Sequence, residues 1–325
     1  MCRGFVLAAS TLVCLTWSLL GQANSNTRAE EKSIDTGYRL KIKADWIYVN
    51  ASVWDPRKRK SVAGLRKEDF AVYEDGQSRA IDACLAGESP FHLLLLLDVS
   101  ASTSGFIQLI REAAIKFSEQ LEPEDGVALV TFHSRTAMIQ PFTNNREAVQ
   151  LAARQIHSEG STAFYDAALT SLDAFRGIEG RKAMVIFSDG ADNQLVDPTK
   201  GSKATFDQLR QAVRENDCLI YTVMLLPYEP DPHRDPELSQ AQRQMQLLAD
   251  ETGGRSFKPR KARDLAGIYG EIANDMRYVY TLTFTPGFSA SGGWHELHVE
   301  VPGHSGVVTR CRKGYLSSEG IKAED

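Results

Sequence analysis

Asp98, Ser100 and Ser102 occupy alternate positions where the run "LLLLLDVSASTSG" (93–105) stops being apolar. Thr162 lies in "GSTAFYDAA" (160–168), and Asp189 follows the apolar "AMVIF" in "SDGADN" (188–193). All five side chains offer oxygen, and none offers sulfur or imidazole. Oxygen donors suit a hard divalent cation, Mg2+ with Mn2+ or Ca2+ as substitutes, better than zinc or copper. With only two carboxylates among the donors, the ion can accept one more anionic ligand. A carboxylate from another molecule is the obvious candidate.

The same residues are open to other chemistry. Taken alone, "DVSAS" also reads as a cluster capping a helix N-terminus. An aspartate ending an apolar strand further suits a metal-dependent, phosphatase-like hydrolase with Asp98 as nucleophile. That reaction wants an acid two positions on, where Ser100 stands. "WHELH" (294–298) spaces its histidines three apart rather than four, and its apolar residues alternate as in a strand. No nucleophile elbow, phosphate loop or dinucleotide fingerprint is present. A metal-independent structural or assembly role through β edges is the third class, and insensitivity of partner binding to EDTA would mark it. Asp166 early in its helix reads as a dipole partner, and Asp192 and Asn193 as loop-shaping residues.

These residues need a scaffold that brings three loops to one edge. "FHLLLLLDVS" (91–100), "KAMVIFSDG" (182–190) and "CLIYTVML" (218–225) are continuous apolar runs, as in parallel strands covered on both faces. Between them, Phe106, Leu109, Ile110, Ala113, Phe117 and Leu121 form a helical stripe. Val149, Ala152, Ala153 and Ile156 form another, and Ala168, Leu169, Leu172 and Phe175 a third. "GVALVTFHS" (126–134) and "TAMIQPF" (136–142) predict a hairpin at the sheet edge. The pattern predicts an α/β fold: a doubly wound, mostly parallel sheet with helices on both faces. Ligands of such sheets bind outside the carboxyl ends of the strands, where Asp98, Ser100, Ser102 and Asp189 fall.

The flanks differ. "YRLKIKADWIYVNASVWD" (38–55) comes close to alternation, and "DFAVYEDGQSRAIDACL" (69–85) predicts two short strands around a Gly76 turn. "YVYTLTFTPG" (278–287) and "WHELHVEVPGHSGVVTRCRKGYL" (294–316) are again strand-like. The economical arrangement is one small β-sandwich built from both ends with the α/β unit inserted; two separate sheets are the alternative. The predicted boundaries are a flank over 36–89, the α/β domain over 90–277, returning strands over 278–317 and a tail over 318–325.

Asp98-x-Ser100-x-Ser102, Thr162 and Asp189 together resemble the metal-ion-dependent adhesion site of von Willebrand factor type A domains. The resemblance implies that the serines and the threonine supply hydroxyls to the metal, with the aspartates binding directly or through water. It also implies a non-enzymatic protein that binds a protein or peptide carboxylate. One departure is Ala101-Ser102-Thr103, where the family often has Gly-Ser-Met, but the liganding serine is intact. "GLRKEDFAVYEDG" (64–76) and "RKGYL" (312–316) look like the bacterial exported subgroup with β flanks.

The proline-rich "LPYEPDPHRDPELSQ" (226–240) should leave the site-bearing edge after its strand. Tyr228, Glu229, Asp231, His233 and Asp235 are candidate ligand contacts in it, a solvated connection being the plain alternative. A second cation on Asp231, Asp235 and Glu237 is a weaker idea.

In the 325-residue chain, residues 1–23 have a basic start, an apolar core and small residues at 21 and 23, as in a cleaved export signal. The stretch is short for a bilayer span, so the only membrane step expected is export, to a periplasm, a surface or the medium. A net charge of −5 argues against nucleic acid as a partner. The one dense basic patch, Arg57-Lys58-Arg59-Lys60, reads as a solvated turn. Cys84, Cys218 and Cys311 remain after cleavage. Cys218 reads as buried, and Cys84 could pair with Cys311 if the two chain ends meet.

Overall fold

The computed structural model describes residues 46–86, 90–197, 199–259, 261, 264–287 and 293–317. The expectations for the export signal, for residues 36–45 and for the tail after 317 fall outside these residues.

The N-terminal flank contains β1 (Ile47–Asp55), β2 (Lys60–Ser61), β3 (Ala71–Glu74), β4 (Gln77–Arg79) and β5 (Ile81–Leu85). The α/β unit opens with β6 (Phe91–Asp98), α1 (Ile107–Glu119), β7 (Gly126–Phe132) and β8 (Thr136–Thr143). It continues through α2 (Arg146–Arg154), α3 (Phe164–Asp173), β9 (Arg181–Ser188) and α4 (Phe206–Glu215). Then come β10 (Leu219–Met224), α5 (Pro236–Thr252), β11 (Ser256–Phe257) and α6 (Asp264–Arg277). β12 (Val279–Phe284), β13 (Gly293–Glu300), β14 (Val308–Cys311) and β15 (Gly314–Ser317) complete the chain.

The central sheet has the order β11-β10-β9-β6-β7-β8, parallel except for β8, which returns antiparallel at the edge. Strand alternation explains why five consecutive leucines are needed. Leu93, Leu95 and Leu97 pack in one layer with Ile110 and Phe117 of α1 and Ile272 of α6. Leu94 and Leu96 face the other layer, with Phe164 and Ala168 of α3 and Met245 and Leu248 of α5. Each is fully buried or nearly so, and each contributes about 2 kcal/mol by removal from water. A strand with one wet face would have carried polar residues at every second position.

The flanks build two sheets, each drawing on both ends of the chain. One has the order β14-β1-β12-β5 with β2 added to β1; the other runs β15-β13-β3-β4. β1 pairs antiparallel with β12 from Ile47↔Phe284 to Ser52↔Val279. Val49, Val53, Leu282 and Phe284 of the first sheet share a core with Val72, Leu297, Val299 and Tyr315 of the second. This is the single two-sheet arrangement rather than two separate sheets.

Three local expectations need correction. The segment 69–85 makes three strands, because after β4 the chain crosses to the first sheet as β5. None of the predicted stripes covers α4, α5 or α6; in α4 the buried stripe is reduced to Leu209 and Val213 among polar residues. Cys84 and Cys311 do not pair. The two ends do meet, but Cys311 lies opposite Ala51 and Cys84 opposite Leu282, on strands at opposite edges of one sheet. Three strand spacings put them about 14 Å apart, beyond the reach of a disulfide.

The basic run 57–60 is a turn between β1 and β2, its Arg57 and Lys58 N–H groups accepted by Asp55 Oδ1 at 2.9 and 3.0 Å. "WHELH" lies on β13, with Leu297 and Val299 buried and Glu296, His298 and Glu300 exposed. Among the described residues no helix is long and apolar enough to cross a membrane.

Candidate metal centre

The winding of the sheet reverses at β6: β7 lies on one side and β9 on the other. A crevice opens at such a point beyond the strand ends. Leu97 pairs with Phe187 across the β6–β9 boundary, so Asp98 and Ser188 are lateral neighbours at that edge. Both continue the face of Leu94, Leu96, Met184 and Ile186, yet both are polar and 0% exposed.

Ser188 Oγ donates to Asp98 Oδ2 at 2.5 Å and accepts from Gly190 N at 2.8 Å. Asp98 Oδ1 accepts from Ser100 N at 3.0 Å. The Thr103 hydroxyl sits 2.9 Å from Asp98 O and 3.1 Å from Ser100 O, tying the loop back on itself. Ser100 Oγ and Ser102 Oγ are 3.1 Å apart, the first buried and the second exposed. Asp189 is almost buried and accepts from Ala191 N at 3.0 Å.

Backbone hydrogen bonds join the three loops. Ala101 N donates to Gly160 O at 3.0 Å, and Glu159 N to Val99 O at 2.8 Å. Thr162 N donates to Asn193 Oδ1 at 2.8 Å, and Asn193 N returns a bond to Thr162 O at 3.1 Å. Thr162 is thereby fixed, buried, between the loop after β6 and the loop after β9.

Burial and the nearby Asp189 charge hold the Asp98 carboxyl well above the usual carboxylate range, partly offset by Ser100 and Ser188. Burial likewise raises Asp189, against the Ala191 N–H and the Ser102 hydroxyl. Among the described residues neither aspartate has a Lys, Arg or His within ion-pair distance, and none is among the main causes of either shift. Two close, desolvated carboxylates without a counter-charge disfavour each other's ionised form. A hard cation bound there would remove that cost, so the donor chemistry fits one. Among the described residues no group of three or more His, Cys, Asp or Glu could hold a metal. Any cation site here therefore depends on the hydroxyls of Ser100, Ser102 and Thr162.

The helix-cap reading fails. A short 3-10 turn over Ser104–Phe106 separates these residues from α1, and Phe106 caps α1 without a side-chain bond. Asp166 does not support Thr162 directly; its carboxylate accepts from Lys203 N and Ala204 N, both at 2.9 Å. Asp192, 1% exposed, gathers Gln194 N, Ser202 N and Ser202 Oγ, and so knots the loop after β9.

The proline-rich segment leaves the same edge, Leu225 N donating to Ser188 O at 2.9 Å. It is shorter than expected, because Pro236 opens α5 and residues 236–240 are helical. Its carboxylates are engaged within the segment or nearby. Asp235 accepts from the Tyr228 hydroxyl and Asp231 N at 3.0 and 3.3 Å, and Asp231 Oδ1 from His233 N at 2.8 Å. Glu229 meets Gln242 and Lys258 at 2.7 and 3.0 Å. Tyr228 and His233 remain exposed.

Sequence reasoning missed Ser188 and Thr103. The signal for Ser188 was a hydroxyl on the inward face of an apolar strand, next to an aspartate already singled out. Thr103 gave none, since its role depends on how the loop folds back.

Residues 93–191 match the family model of the von Willebrand factor type A domain. Two curated relatives, both UPF0353 proteins of Mycolicibacterium paratuberculosis, are each 24% identical over 203 and 223 residues. Those alignments cover 57% and 64% of this chain and only 60% and 66% of the relatives' own lengths. Among solved structures, a von Willebrand factor type A protein from Catenulispora acidiphila is similar with TM-score 0.47 and 12% identity, over 82% of this chain and 71% of that one. An aerotolerance-related membrane protein from Bacteroides fragilis gives TM-score 0.43 and 15% identity, over 57% of this chain and all (100%) of that one. The α/β unit bearing Asp98 and Asp189 thus has a von Willebrand factor type A fold, with β-rich flanks on either side.

Proposed function

We propose that the protein is exported and binds a protein or peptide partner non-covalently through a divalent cation, Mg2+ or Mn2+, in an adhesion or assembly role without catalysis. Asp98, Ser100, Ser102, Thr162 and Asp189 would hold the cation, and a carboxylate of the partner would complete its coordination. The observation that carries this reading is the buried Asp98–Asp189 pair at the strand-end crevice, which has no ion-pair partner among the described residues. The match of residues 93–191 to the type A family supports it. The hydrolase reading has no support at position 100, where Ser100 N serves Asp98 Oδ1 and no acid stands.

Tyr228, Glu229, Asp231, His233 and Asp235 would border the partner and set selectivity. Replacing 228–235 by a Gly/Ser linker should alter partner binding and spare metal affinity.

The test is calorimetric titration of Mg2+ and of Mn2+ into EDTA-treated protein, beside an Asp98→Ala/Ser100→Ala variant. Saturable binding lost in the variant supports the reading. No binding of either ion to the folded protein, or equal binding to the variant, overturns it.

A further inference from the structure

The opposite edge of the central sheet holds a second feature. A cavity of about 640 Å³ lies where β6, β9 and β10 begin, lined by His92, Arg181 and Leu219 from the sheet. Tyr48 and Leu85 of the flanking strands and Arg312, between β14 and β15, line it too. The length of β6 separates it from Asp98 by about 23 Å. Its volume is in the range of small-molecule sites.

The charges in its wall are unevenly matched. Glu251 is held by Arg210 and Arg214 at 2.5 and 2.8 Å and Asp217 by Lys182 at 3.0 Å, while Glu179, also in the wall, is exposed to solvent. Arg312 has no carboxylate within ion-pair distance among the described residues, and Asp217 acts on it only from farther away. Its Nε donates to Gly314 O at 2.6 Å and its Nη2 to Arg214 O at 2.7 Å, which leaves Nη1 without a partner among them. Carbonyl dipoles and a carboxylate beyond ion-pair distance are weak compensation for a partly buried guanidinium. His92 Nδ1, in the same wall, is buried without a hydrogen-bond partner. Tyr48 and Leu85 are 57% and 65% exposed; apolar side chains left open beside a cavity mark a contact surface.

We propose that this cavity binds an amphipathic monoanion, an acid head on an apolar body. The Arg312 Nη1 takes the head, and Tyr48 and Leu85 cover the body. A guanidinium supplies charge-assisted bonds that a neutral ligand of the same shape cannot exploit. This site is independent of the metal centre.

The test titrates the purified full chain with 8-anilinonaphthalene-1-sulfonate and with N-phenyl-1-naphthylamine, a neutral probe of similar ring structure. The expected result is one saturable site for the anion, displaced by decanoate but not by decanol and unaffected by EDTA. Arg312→Met should weaken the anion about tenfold and the neutral probe no more than about twofold, the loss of one charge-assisted bond. Leu85→Glu, at an exposed position that does not endanger folding, should weaken the anion by repulsion at the mouth. Absence of saturable binding, or anion affinity unchanged in Leu85→Glu, overturns the proposal. So does an equal loss for both probes in folded Arg312→Met. Should Arg312→Met fail to fold, Leu85→Glu decides alone.

Discussion

Ser188 and Asp98 are joined by a 2.5 Å hydrogen bond across the boundary of two parallel strands, and neither side chain touches solvent. The hydroxyl serves both sides of the crevice, since it also accepts from Gly190 N at 2.8 Å. Ser188→Ala would leave a buried carboxylate oxygen and a buried N–H short of a partner. The metal-free protein should lose about 1–3 kcal/mol of stability. Urea unfolding with an unchanged slope is the measurement, and a loss below 0.5 kcal/mol, roughly the scale of an ordinary surface substitution, would contradict the role given to Ser188.

Gly190 carries the loop after β9 at φ +77°, and a Cβ there would stand 2.6 Å from Met245 Cγ and 3.3 Å from Ala241 O of α5. Gly190→Ala should therefore combine backbone strain with a steric clash and cost about 1–3 kcal/mol. Because Asp189 is the preceding residue, the cation binding proposed above should weaken as well. Gly177, also at positive φ with nothing near its Cβ position, gives a control with strain alone. Thermal unfolding of both variants separates the two effects; equal losses would remove the argument from packing against α5.

Glu74 lies buried between the sheets of the flank. Burial opposes its ionisation, but the Tyr315 hydroxyl, Gly287 N and Arg79 together hold its carboxyl below the ordinary value. Its Oε2 accepts from Arg79 Nε at 2.6 Å and from Gly287 N at 3.0 Å. Between the lowered folded value and the ordinary unfolded one, the unfolded chain binds more protons, so stability rises with pH there. The contribution is complete above the ordinary carboxylate value and is lost as pH falls through the folded one. Glu74→Gln should flatten that part of the stability–pH curve and cost about 1–3 kcal/mol at neutral pH. An identical acid limb in wild type and variant would count against it.

Cys84 and Cys311 lie on strands separated by β1 and β12. The unreduced protein should therefore show no intramolecular bridge between them. Peptide mapping after alkylation without reductant should recover both as alkylated thiols; a linked 84–311 peptide would contradict the sheet order.

Much of this was written in local pattern. Leu93–Leu97 and Ala183–Phe187 predicted a sheet covered on both faces because alternation leaves such strands no polar side. An aspartate or serine at the end of each run could only lie at the sheet's carboxyl edge. That β-rich segments flank the α/β unit on both sides was also legible. Which strands they pair with was not, since antiparallel partners such as Ile47 and Phe284 are far apart in sequence. Periodicity says which face is apolar, not which face it meets. The Ser188–Asp98 bond depended on the lateral register of β6 and β9. The roles of Thr103 and Asn193 depended on loops folding back through their own hydrogen bonds. The cavity beside Arg312 exists because the β14–β15 bend comes to rest against the ends of α4 and α5, through Arg214 O and Glu251 O. Residue types and their spacing determined the candidate donors and the edge they share; only tertiary packing decided which charges find a partner within the chain and which do not.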